Sequence, residues 1–125
     1  MYNRVFGNMK FDSGFEIESE ICLFLKKKPI CITAEAYWES DDVTLAQENA
    51  FLEFNKKKGE YVARLENLMI AKYGVEAKER FSAKQILISR EGKLAILFDD
   101  SEDEDEGIAV QIIPNYRIEE QSTYL

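Results

Sequence analysis

The sequence predicts an α+β domain, with an antiparallel sheet of about six strands and one helical layer packed on one face. Three observations carry that reading. Apolar residues recur at three- and four-residue steps from Thr44 to Tyr73, as an amphipathic helix requires. Period-two alternation precedes that segment, most clearly from Phe15 to Leu25. Short apolar runs separated by turn residues follow it, from Lys84 to Ile113. The layout is a three-strand meander, a helical segment and a second three-strand meander. With 125 residues the chain forms one domain, 1–125, large enough to fold without a disulfide or a metal.

The first meander opens on Arg4 to Phe11, where Val5, Gly7, Met9 and Phe11 share a side. Asp12-Ser13-Gly14 is a short hairpin loop. Phe15, Ile17, Ile21, Leu23 and Leu25 then face one way, with Glu16, Glu18, Glu20, Cys22 and Phe24 opposite. Lys26-Lys27-Lys28-Pro29 reads as the next turn. Ile30, Ile32, Ala34, Ala36 and Trp38 form the inward side of a third strand. Pairing Leu25 with Ile30, Leu23 with Ile32 and Ile21 with Ala34 puts both apolar sets on one face. That register sets Cys22 opposite Thr33 and Cys31 opposite Phe24. The two thiols are then diagonal neighbours, expected reduced and half-buried.

The helical segment begins at Thr44, with Gln47 at capping-box spacing and Asp41 and Asp42 just before it. Leu45, Phe51, Phe54, Val62, Leu65, Leu68, Met69 and Tyr73 make the apolar stripe. Glu48, Glu53, Lys57, Glu60, Arg64 and Lys72 make the solvated back. Lys56-Lys57-Lys58-Gly59 interrupts the pattern with like charges and a glycine, so a kink or a short break is expected there. Gly74 is the C-terminal stop.

Val75 to Ser82 links the segment to the second meander, with room for a helical turn. Lys84 to Arg90 is a strand, and Glu91-Gly92 a tight turn. Leu94 to Phe98 is continuously apolar, which places its strand centrally in the sheet. An acidic loop leads to a partner strand, Gly107 to Ile113. Pro114-Asn115 turns the chain into a short strand, Arg117 to Glu120, before a tail, Gln121 to Leu125.

Charge separates the functional alternatives. The net charge is −8, and Asp99 to Glu106 holds seven carboxylates and no base. Without them the chain would carry only −1. A surface of that sign repels nucleic acid and anionic membranes and attracts cations or a basic partner. The chain has no histidine, which removes histidine-based triads, Cys–His pairs and His metal ligands. No Gly-rich phosphate loop or Cys-x-x-Cys occurs, no run reaches membrane-span length, and no signal-peptide core is evident. These features suggest a cytoplasmic, non-enzymatic protein without metal or cofactor. An exposed sheet edge would allow a dimer, and the oligomeric state stays open.

The candidate site is Asp99, Asp100, Glu102, Asp103, Glu104, Asp105 and Glu106, read as a surface for a basic protein. The alternative is a small-ligand or calcium-binding module using the same loop, 99–106. Asp99, Ser101, Asp103 and Asp105 have the spacing of early calcium ligands. The pattern then departs: Glu104 stands where glycine is needed, and Val110 where the last Glu belongs.

Ile86-Leu87-Ile88-Ser89-Arg90-Glu91-Gly92, Leu97-Phe98-Asp99 and Gly107-Ile108-Ala109-Val110 resemble an uncharacterised bacterial family of small acidic α+β domains of unknown function. Phe6-Gly7 and Phe11-Asp12-Ser13-Gly14-Phe15 fit it too, while Glu106 stands where members often carry a histidine. The resemblance implies no known activity. Toxin-neutralising immunity proteins are the nearest functional analogy for such a chain.

Overall fold

The computed structural model describes residues 1–124, and of the predicted tail Leu125 lies outside the described residues. Its main sheet has seven strands, not six: β3 (Lys10–Phe11), β4 (Phe15–Leu23), β5 (Lys26–Ala34), β6 (Phe81–Ile88), β7 (Leu94–Asp100), β8 (Asp103–Ile113) and β9 (Arg117–Glu120), side by side in that order. β1 (Tyr2–Asn3) and β2 (Gly7–Asn8) form a separate two-stranded sheet. The predicted first strand is thus broken into β2 and β3. Asn3 is the cause: its side-chain oxygen accepts from Val5 N and Phe6 N at 2.8 and 3.0 Å and curls the chain.

The sheet is mixed rather than wholly antiparallel. β5 and β6 run parallel, Ile32 beside Ile86 and Ala34 beside Ile88, while the other neighbours are antiparallel. A parallel pair needs a long crossover. Here it comprises α1 (Leu45–Lys56), α2 (Lys58–Tyr73) and α3 (Ala77–Arg80).

The capping box at Thr44 forms as its spacing predicts. Gln47 N donates to Thr44 Oγ1 at 3.1 Å, and Thr44 N donates to Gln47 Oε1 at 2.9 Å. The Gln47 amide does more. Its Nε2 donates to Glu35 O at 2.8 Å and Ile88 O at 3.1 Å, so one fully buried side chain joins α1 to the ends of β5 and β6. The helical segment breaks at Lys57, leaving Gly59 inside α2, and Gly74 closes α2 with φ +87°.

Phe51, Phe54, Leu65 and Met69 are buried as the stripe predicts. They pack in one core with Ile21, Leu23, Ile30, Ile32, Ile86, Ile96 and Val110. Each such side chain contributes about 2 kcal/mol by burial. Two assignments on α1 reverse. Leu45 is 63% exposed, and Glu48 is buried. Glu48 is satisfied by the N-terminal turn: Asn3 Nδ2 donates at 3.0 Å and Arg4 Nη2 at 3.1 Å. Phe6 stacks on Phe51 at 4.4 Å beside it.

The β4–β5 register also differs from the expectation. The turn falls on Phe24-Leu25, both left-handed at φ 51° and 64°, so Leu23 pairs Lys26, Ile21 pairs Lys28 and Ile17 pairs Ile32. Glu66 on α2 accepts from the Phe24 amide and holds the turn. Lys26 to Pro29 is therefore strand, and Leu25 is 98% exposed. Pro29 lies before β5 meets β6 at Cys31, where a missing N–H is tolerated. Cys22 opposes Lys27 and Cys31 opposes Glu18, so the thiols are separated along the hairpin rather than diagonal neighbours. Both are free; Cys22 is exposed, and burial pushes the Cys31 thiol up. Trp38, expected on the inward side, stands in a loop after β5 and is 71% exposed.

β7 is central as its apolar run predicts, with Leu94 to Phe98 all buried between β6 and β8. Leu94, Ile96 and Phe98 join the main core. Ala95 and Leu97 form a small second cluster with Ala109 and Leu87 on the other face, to which no helix residue belongs. No helix among the described residues is long and apolar enough to cross a membrane.

Gln47→Ala should lower unfolding free energy by about 2 kcal/mol, because it removes the return bond of the capping box and two hydrogen bonds to carbonyls that each keep one other donor. Thr44→Ala should cost about 1 kcal/mol. Urea denaturation of both variants checks the ranking, and equal losses would contradict the seam role of Gln47.

Candidate interaction site

The acidic stretch is not a loop. β7 runs to Asp100, Ser101 and Glu102 make the turn, and β8 begins at Asp103. This hairpin is fixed from below by Arg80, the last residue of α3. Arg80 Nε and Nη2 each donate to Asp100 at 2.9 Å, a two-pronged pair. The Arg80 guanidinium lies over the rings of Tyr73 and Phe81, at 5.2 and 4.8 Å from their centres. Asp100 Oδ1 also accepts from Glu102 N at 2.9 Å, and Ser101 N donates to Arg80 O at 2.9 Å. Asp100 is buried, and Arg80 beside it holds its carboxyl below the usual carboxylate range.

The base of β8 is shaped by a bulge. Phe98 pairs Ile108 and Asp100 pairs Asp103, so Glu104 to Gly107 stand opposite the single residue Asp99. The extra length pushes Glu104, Asp105 and Glu106 out of the sheet line. Gly107 passes so close to β7 that a Cβ there would lie 2.1 Å from Phe98 O. Gln121 braces the same spot, donating from Nε2 to Phe98 O at 3.0 Å and accepting from Lys84 Nζ at 2.7 Å.

The seven predicted site residues are brought together on this hairpin but do not share one role. Asp100 is internal. Asp99 pairs Lys84 at 3.2 Å, Glu102 lies 3.5 Å from Arg80 Nε, and Glu106 accepts from Ser122 N at 2.9 Å. Asp103, Glu104 and Asp105 are exposed and form no ion pair among the described residues. These three line a cleft of about 590 Å³ together with Arg80, Ser82 and Lys84. Both cations there are already engaged, so the excess charge of the cleft is negative.

The calcium-like spacing is divided by the fold. Asp99 lies on β7, Ser101 in the turn, and Asp103 and Asp105 on β8. Among the described residues no group of three or more Cys, Asp or Glu is placed to hold a metal ion. Sequence reasoning missed Arg80 and Gly107 as the residues that shape the site. Arg80 sits twenty residues before Asp100, and its flanking aromatics Tyr73 and Phe81 were the available signal.

Because the Asp100 pKa is depressed by folding, its contribution is present above the unfolded value, about 3.9, and is lost as pH falls through the folded one. Asp100→Asn should cost about 2 kcal/mol at neutral pH. It should also shrink the stability loss below about pH 4, leaving the shares that Glu48 supplies through Arg4 and Asn3 and that Glu91 supplies through its backbone hydrogen bond and Ser89. Denaturation midpoints across the acid range measure both effects.

No family model, curated protein or solved structure matches this chain.

Proposed function

We propose that the protein is a non-enzymatic interaction module that captures a basic protein partner on its acidic hairpin. One observation supports this most: Asp103, Glu104 and Asp105 project from a braced bulge with no ion pair among the described residues, beside a cleft whose two cations are neutralised. Unpaired like charges held side by side repel, and a fold gains nothing from them. A cationic surface relieves that repulsion and is drawn in by the field. The bracing matters because a carboxylate fixed before contact loses little freedom on binding. Neutralisation of a basic toxin by an acidic immunity protein is the functional analogy for such a capture. The likeness of Lys84 to Val110 to a family of unknown activity adds no chemistry to it.

Replacing the three carboxylates together (D103N, E104Q, D105N) separates this reading from a purely structural one. Thermal stability should not fall, and should rise slightly, since no internal pair is lost and like-charge repulsion is relieved. Capture of basic proteins from host extract on immobilised protein should fall about tenfold, with a weaker dependence on salt. Equal capture by wild type and the triple variant would overturn the proposal.

A further inference from the structure

The loop between β5 and α1 presents two aromatic rings that the fold does not use. Tyr37 and Trp38 are 73% and 71% exposed, and Trp38 is the chain's single tryptophan. Among the described residues neither ring pairs with another aromatic or lies under a cation. Leaving such rings in water forgoes a large apolar burial.

The backbone beneath them is nevertheless tightly held. Asp41 Oδ2 accepts from Tyr37 N at 3.1 Å and Trp38 N at 3.0 Å, and Asp41 N donates to Trp38 O at 2.9 Å. Arg90 closes the loop across its mouth, with Nη1 donating to Glu35 O at 3.2 Å and Asp42 O at 2.9 Å. Thr44 Oγ1 donates to Arg90 O at 2.8 Å and ties that clamp to the α1 cap. Ala36, just before the rings, is buried and anchors them. The rings are thus exposed on a backbone that is already positioned, which lowers the ordering cost of a contact there.

Charge selects the occupant. Residues 35–42 read Glu-Ala-Tyr-Trp-Glu-Ser-Asp-Asp, with four carboxylates and no cation. The neighbouring Arg90 spends one nitrogen on backbone carbonyls, and with its charge counted against the four carboxylates the loop still carries a net −3. We infer that this loop is a docking point for an arginine-bearing segment of a protein partner. A guanidinium stacks on the Trp38 or Tyr37 face and reaches the carboxylate of Glu39 or Asp42 with its N–H groups. An anionic membrane is repelled by the same carboxylates, and a second copy of the chain would oppose four carboxylates with four more.

The surface is separate from the acidic hairpin and does not rest on that reading. It adjoins the end of β6 at Ile88, which pairs Leu94, whereas the hairpin adjoins Phe81, which pairs Asp100. Six steps of β7 put them about 20 Å apart.

A displayed library of short random peptides, panned on the wild-type protein and counter-selected on Trp38→Ala, tests the inference. Trp38 supports no packing, so that variant keeps its fold. The recovered peptides should carry arginine beside an apolar residue and shift Trp38 fluorescence to the blue. They should lose affinity about tenfold on Trp38→Ala, and keep it when Asp103, Glu104 and Asp105 are neutralised. Four results would overturn the inference: no Trp38-dependent peptide, Trp38-dependent peptides without cations, a blue shift with phosphatidylserine vesicles, or sedimenting dimers that Trp38→Ala dissolves.

Discussion

The parallel contact between β5 and β6 is the constraint on which the architecture depends. Each meander could form from local hairpins alone, but neither buries its apolar face until the two are joined and roofed by helices. The join costs a long crossover, and its upper end is where paired strands give way to loops. The carbonyls at that point, on Glu35 and Ile88, are met by the buried amide of Gln47. Glu35 N also donates to Ile88 O at 2.9 Å. Gln47, with Thr44 Oγ1 on Arg90 O, therefore sets the start of α1 against the sheet. From there the direction of the helical layer over Ile32, Ile86 and Ile96 follows.

What was legible in the sequence was what local chemistry decides. The Thr44–Gln47 cap, the Gly74 stop, the Asp12–Gly14 loop and the central position of Leu94 to Phe98 each follow from residues within a few positions of one another. The parallel seam was not legible, because apolar residues at Ile32 and Ile86 read the same in either strand direction. The β4–β5 register shows the same limit. Lys26 to Pro29 has turn composition and Phe24-Leu25 does not, yet the turn falls on Phe24-Leu25. The deciding contact is with Glu66, more than forty residues away. The expected and observed pairings differ by an even number of residues, so Ile21, Leu23, Ile30 and Ile32 face the core in both. Period-two burial survived a register that was wrong.

The acidic stretch divides in the same way. Its charge was plain from composition, but composition could not say that Asp100 turns inward while Asp103 to Asp105 turn out. That sorting comes from Arg80, sandwiched with Tyr73 and Phe81 beneath the hairpin, and from Gly107, whose missing side chain lets β8 press against Phe98. Neither is adjacent to the residue it controls. Trp38 illustrates the opposite error. Alternation assigned it to the core as the last of an apolar series, and Asp41 bends the chain out of strand geometry just before the series would end.

Two arginines bracket β6, and the comparison between them explains why both outer surfaces can be rigid on a small domain. Arg80, just before Phe81, spends its fork on a carboxylate and stacks on two rings. Arg90, two residues beyond Ile88, spends one nitrogen on two backbone carbonyls from opposite ends of a loop. A lysine could not replace Arg80, since a point charge on a flexible stem cannot grip both carboxylate oxygens in fixed geometry and lie flat on an aromatic face. Both arginines hang from a strand in the middle of the sheet, paired on both sides. The stiffness of the core is thereby carried outward to the acidic hairpin at one end and to the aromatic loop at the other. Each protruding group is held by the sheet rather than by its own segment, and that is the condition under which exposed charge and exposed aromatic surface can bind without first being ordered.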